Sequence, residues 1–269
     1  MKTRVLITVK TYPTISTKYE ELVCTAGFRE DGSWIRIFPI PFRKLDYNKQ
    51  YKKYDWIELD LTRNLSDFRP ETYRPVSDTT VIDIIGHIGY ENNWMGRKEI
   101  VLKNVYYDLS KLIKDAKNKN KITSLAVFKP TKVLAFTYEK TSSEWSESKK
   151  KILNQLNLFE PKGSTFQIVR KLPYKFSYTF EDINGTKSKL MIEDWETAQL
   201  YWNCLTRANG DEEKACKDVY KKYFDDFSIK KDLYFYLGTT KVHHFVAPNP
   251  FIIIGTFHPK KDLQVNLFK

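Results

Sequence analysis

Residues 23–39 read Val-Cys-Thr-Ala-Gly-Phe-Arg-Glu-Asp-Gly-Ser-Trp-Ile-Arg-Ile-Phe-Pro, two β-prone runs joined by Asp31-Gly32. An Asp-Gly pair between alternating runs is a strong short-range hairpin signal, because its tight turn needs a residue that tolerates positive φ. On the second run, Trp34, Arg36 and Phe38 share one face and Ile35 and Ile37 the other. The aliphatic pair belongs in a core. The opposite face has the chemistry to stack bases and hold phosphates. Equally, it suits a second core filled by Trp34 and Phe38, with Arg36 paired to a carboxylate.

The rest of the first hundred residues extends this β pattern. Strands are expected at 4–10, 54–61, 80–88 and 99–107, at a spacing that suggests a small barrel. A short helix with a basic face is expected at 109–120. Strand character returns at 125–138, interrupted by Lys129-Pro130. Ser143 opens a further helix to about Leu158, with Ile152, Leu153 and Leu156 on one face, ended by Pro161, Gly163 and Ser164. Beyond it come a hairpin around Asn184-Gly185, helices at 194–205 and 211–223, and strands at 232–237 and 250–257. The expected class is α+β: an OB-like small barrel (1–108), a basic connector (109–165) and a C-terminal α+β unit with a second sheet or barrel (166–269).

Charge narrows the partners. The net charge is +12, and residues 101–150 hold 11 lysines against five acids. Such a balance suits a polyanion, whose condensed counterions are released on binding. It also fits a lysine-rich soluble surface. Three cysteines without a CxxC spacing, and no secretory signal in residues 1–9, fit a cytoplasmic setting. The sequence contains no Walker A, GxGxxG or GxSxG motif, which argues against the common nucleotide-hydrolase, dinucleotide and serine-hydrolase chemistries.

The run Val23-Cys24-Thr25-Ala26-Gly27, followed by Trp34-Ile35-Arg36, resembles the opening hairpin of the prokaryotic dual OB-containing family, in which a Cys-x-Ala-Gly strand leads to Trp-Ile-Arg-Pro. Here Ile37-Phe38 intervenes before Pro39. The resemblance covers the first 60 to 100 residues. It implies an OB-like barrel that binds oligonucleotides, in proteins often associated with phage defence or mobile elements. The C-terminal half is similar to uncharacterised prokaryotic proteins through Leu190–Glu196 and its closing Gly-Thr and Pro-Phe-Ile-Ile-Ile-Gly segments.

The expected nucleic-acid contacts are Trp34, Arg36, Arg43, Arg69, Tyr73, Arg74, Trp94 and Arg97, which join aromatic platforms to guanidinium groups. Arg69-Pro70-Glu71-Thr72-Tyr73-Arg74-Pro75 and Trp94-Met95-Gly96-Arg97-Lys98 read as irregular segments where binding residues concentrate. Surface pairing of Arg69 with Asp67 and of Arg97 with Glu99 is the alternative. A second class, a metal-dependent nuclease or base-modifying enzyme, would draw on Asp194, Glu196, Asp232 and His244, although their spacing matches no ligand motif. A third is a sensor or adaptor that binds a nucleotide without catalysis. No cofactor and no metal are expected, and the expected partner is DNA or RNA.

Overall fold

The computed structural model describes residues 2–16, 20–151 and 169–262. The Asp31-Gly32 turn joins β3 (Glu20–Phe28) to β4 (Trp34–Ile40), with Gly32 at φ 84° and Phe28 opposite Trp34. Gly27 permits a close crossing, because a Cβ there would lie 1.9 Å from the carbonyl oxygen of Leu6. With β1 (Lys2–Lys10), β5 (Asp55–Arg63) and β6 (Thr72–Pro75), this hairpin forms a closed five-stranded barrel in the order β1-β3-β4-β6-β5, with β1 also pairing β5. The β4–β6 pairing is parallel and the others are antiparallel. Short β2 (Thr14–Ser16) extends β3, and β7 (Asp83–His87) extends β5.

Val5, Ile7, Val23, Ile35, Ile37, Ile57, Leu59 and Leu61 fill the barrel. Ile35 and Ile37 thus take the inward face expected of them. A bulge in β1 between Ile7 and Val9 turns Val9 outward, next to Leu6.

The segment 99–107, expected as one strand, holds the end of a helix, a turn and a two-residue strand. Here α1 (Glu91–Val101) buries Arg97 and Val101, and only Val105–Tyr106 (β8) is extended. Apolar residues at Ile100, Val101 and Val105 mimic a strand, but contacts made elsewhere in the chain set the local conformation. Asp108 caps α2 (Leu109–Lys117) by accepting from the Lys111 amide.

The stretch expected as a connector contributes to two further sheets. β9 (Leu125–Phe128) joins β8, β13 (Tyr234–Thr239) and β14 (Phe251–Phe257), whereas β10 (Lys132–Lys140) pairs with β11 (Tyr174–Glu181), which pairs with β12 (Lys187–Met191). Gly185 makes the β11–β12 turn at φ 75°. Helices α3 (Trp195–Arg207) and α4 (Glu212–Tyr220), the latter running into a π-helical turn at Lys221–Ser228, cover these sheets around Phe136, Phe176, Tyr178 and Tyr201. Residues 147–151 are helical, whereas Ile152, Leu153, Leu156 and the break at 161–164 lie outside the described residues.

A third core joins the two halves. Leu6, Val9, Ala26 and Phe28 on the outside of the barrel pack against Leu125, Val127, Tyr236, Ile254 and Phe257.

Candidate functional site

The outer face of the opening hairpin lies at that joint. Trp34 packs on Phe28 at 4.0 Å and edge-on to Tyr236 at 5.8 Å. Arg36 is 2% exposed, and its guanidinium donates to Thr72 Oγ1 (3.1 Å), Ser124 Oγ (2.8 Å) and the Ser124 carbonyl (3.2 Å). The Ser124 hydroxyl passes this charge on by donating to Glu71 at 2.8 Å. Arg69 is also buried. It forks onto Asp67 at 2.5 Å and donates to the Thr239 carbonyl.

The expectation that Trp34, Arg36 and Arg69 face a nucleic acid is therefore corrected. A surface laid over by a second sheet keeps its guanidinium donors for internal acceptors, since a buried unmet donor is costly. Arg43 is bound to Glu21 at 2.6 Å. Tyr73 lies under Arg29 (4.8 Å) and Arg63 (5.9 Å), and Arg74 is exposed beside Pro39, Ile40 and Leu45.

Trp94 and Arg97 fall elsewhere, in a cleft of about 560 Å³ between the barrel side and α3. One wall carries Lys53, Tyr54, Trp94 and Arg97; the other carries Trp195, Glu196, Gln199 and Asn203 of α3, with Phe227 and His258 between. Tyr54 and Trp94 adopt left-handed backbone at φ 68° and 64°, and Asn92 and Asn93 precede Trp94 in the same conformation. Asparagine tolerates this region, but a bulky aromatic there is strained by about 1–2 kcal/mol. The surroundings hold both aromatics in place. Tyr54 donates its amide to Ile7 and accepts at its carbonyl from Ile88. The Asn93 side chain clasps Lys260, donating to its carbonyl (3.0 Å) and accepting from its amide (2.8 Å), and also donates to Asp262 (2.7 Å).

Between the two strained rings lies Arg97, 7% exposed, 3.8 Å from the Tyr54 ring centre and 4.8 Å from that of Trp94. Its Nε donates to the Ile88 carbonyl at 2.9 Å. Among the described residues, neither Nη group has an acceptor and no carboxylate pairs with it. Burial pushes its pKa below the usual guanidinium value.

The other cations have partners. Lys53 donates to Glu196 (2.8 Å) and to the Thr256 carbonyl (3.1 Å), and Lys222 pairs with Asp226 at 2.7 Å. Burial favours neutral Lys53, but Glu196, Tyr54 and Asp194 together outweigh it and hold the ammonium above its ordinary value. His258 stacks on Phe227 at 3.6 Å, and burial lowers its pKa to about 3, so the ring is neutral at ordinary pH.

Asp194, Glu196, Asp232 and His244 are not gathered into one catalytic group. Asp194 caps α3, accepting from the Glu196 amide, and burial pushes its carboxyl up despite Lys53. Asp232 binds Lys129 and the Tyr234 hydroxyl. His244 is buried between Thr239 Oγ1 (2.7 Å) and the Ala116 carbonyl (2.8 Å). Among the described residues no three His, Cys, Asp or Glu side chains are grouped to hold a metal. No helix among them is long and apolar enough to cross a membrane.

Sequence reading missed Lys53, Tyr54, Gln199, Asn203 and His258, which lie far apart in the chain. Only the Asn92-Asn93 pair, tolerant of left-handed backbone, marked the place.

Fold and cleft define an α+β protein with a closed barrel and an aromatic, arginine-bearing cleft. The chain belongs to the family described as domain of unknown function DUF8757, whose model matches residues 107–269. A second model, domain of unknown function DUF8758, matches residues 1–103. No curated protein matches the chain.

Proposed function

We propose that this protein binds nucleic acid, single-stranded or irregular, with a phosphate held by Arg97 and a base laid against the cleft's aromatic rings. The observation that carries this reading is the bare guanidinium. Its Nη groups open into the cleft with no protein acceptor among the described residues, and the ring contacts recover only ~0.5–2 kcal/mol. An anionic group of a ligand balances the charge, and arginine offers the planar fork that phosphate oxygens match. Strained residues at a ligand clamp have the same logic: strain is retained where a site needs its geometry.

The barrel is read here as OB-like. Taken in chain order, its five strands close as first, second, third, fifth, fourth, with a parallel pair between third and fifth. The hairpin's likeness to the dual OB-containing family adds to that reading, and barrels of this class bind oligonucleotides. In this protein the hairpin face is covered, so the site moves to the cleft. Exposed Lys114, Lys117, Lys119 and Lys121 add a basic surface that favours a polyanion.

The test is binding of labelled single-stranded DNA and RNA over a salt series. Affinity should fall steeply with salt, and Arg97→Met should weaken it and lower the slope by about one phosphate contact. Absent or salt-independent binding overturns the proposal. The cleft volume also favours a second reading, a free nucleotide as ligand. Competition of the oligonucleotide by a mononucleotide separates the two.

A further inference from the structure

The wall opposite Arg97 differs in chemistry. Glu196, Gln199 and Asn203 recur at i, i+3 and i+7 on α3, so they share one face, and all line the cleft. Glu196 is half exposed. One of its oxygens receives Lys53, and the other accepts nothing among the described residues. As a carboxylate it offers acceptors only. The Gln199 amide donates to Asn203 Oδ1 at 3.1 Å, which fixes the two side chains relative to each other and leaves donors on Asn203.

We infer that Glu196 makes the cleft selective for guanine, a deepening that rests on the nucleotide-binding reading above. Guanine alone among the common bases presents two adjacent donors, N1–H and the 2-amino group, on its Watson–Crick edge, and a carboxylate complements both. Adenine and cytosine place an acceptor beside the donor, which a carboxylate repels; uracil has a single donor between two acceptors. The Asn203 amide supplies a donor for guanine O6. Lys53, on the facing wall, holds one Glu196 oxygen at 2.8 Å, so the carboxylate is oriented before a base arrives. A ring between Trp94 and the α3 wall would then carry its phosphate towards Arg97.

The experiment titrates the full chain with GMP, AMP, CMP, UMP and IMP, read by tryptophan fluorescence and calorimetry. GMP should bind at least about tenfold tighter than the other three common nucleotides, the scale of one good bidentate base contact. IMP, which lacks the 2-amino group, should fall between GMP and AMP. Glu196→Gln should abolish the preference while keeping binding sensitive to Arg97→Met. IMP tests the same contact from the ligand side, so a poorly folding variant leaves the inference open to refutation. Equal binding of all five, lost in Arg97→Met, overturns guanine selectivity and leaves nucleotide binding standing. No binding of any of the five, nor of the oligonucleotides, overturns both.

Discussion

The guanidinium of Arg97 lies 3.8 Å from the centre of the Tyr54 ring, and Tyr54 holds left-handed backbone at φ 68°. A buried cation therefore rests on a strained aromatic, with no carboxylate within pairing distance among the described residues.

Replacing Arg97 by Met should separate a ligand-binding role from a structural one. Methionine fills similar volume without a charge, so thermal stability of the free protein should hold or rise, as for other buried charges exchanged for apolar groups. Ligand-dependent stabilisation should vanish, since that shift reports binding to the folded state alone. A melting temperature lowered by several degrees would instead assign the guanidinium a structural role.

Arg36 should behave in the opposite way. Its three hydrogen bonds to Thr72 and Ser124 tie the hairpin to the second half of the chain, and through Ser124 they reach Glu71. Arg36→Met should cost about 3 kcal/mol in urea unfolding. Oligonucleotide affinity of the folded fraction should stay within about twofold of wild type, on the order of 0.4 kcal/mol. A large loss of affinity at unchanged stability would restore Arg36 to the binding surface.

The clasp between Asn93 and Lys260 should be worth measuring by denaturant unfolding. Asn93→Ala removes three side-chain hydrogen bonds and replaces asparagine, which tolerates left-handed backbone, with a residue that does not. A loss of about 2–3 kcal/mol is expected. Asn93→Gly loses the same bonds but tolerates the backbone, so it should be less harmful by about 1 kcal/mol. Equal losses would mean that the backbone conformation carries no cost.

Acid should destabilise the protein through His258. Burial, aided by Lys53 and Lys222 and with Lys231 adding slightly, lowers its pKa from 6.5 to about 3 against a small opposing effect of Asp226. In that window the unfolded chain binds about one more proton than the folded protein, so stability falls as pH falls from 6.5 towards about 3. His258→Phe keeps the stack on Phe227 and should flatten this part of the stability profile by up to one proton. An unchanged slope would show that the ring titrates as in water.

Local patterns in the chain determined much of the fold. Asp31-Gly32 and Asn184-Gly185 placed two hairpins, because few residues accept the positive φ of their turns. Alternation placed Ile35 and Ile37 inside the barrel, and the helices expected at 109–120, 194–205 and 211–223 form, each capped by an aspartate, Asp108, Asp194 or Asp211, that accepts an amide hydrogen bond. The same patterns misled at 99–107, where apolar spacing fits strand and helix alike. Trp94 and Arg97 were singled out from sequence as an aromatic–cation pair, but so were Trp34 and Arg36, and no local signal distinguishes the two pairs. What separates them is whether another part of the chain brings acceptors. Ser124 and the Thr239 carbonyl, 88 and 170 residues away, satisfy Arg36 and Arg69. Among the described residues, nothing comparable reaches the Nη groups of Arg97. Hydrogen-bond satisfaction inside a protein depends on contacts remote in sequence, so only the tertiary structure decided which arginines have internal acceptors and which keep their Nη groups open to the cleft.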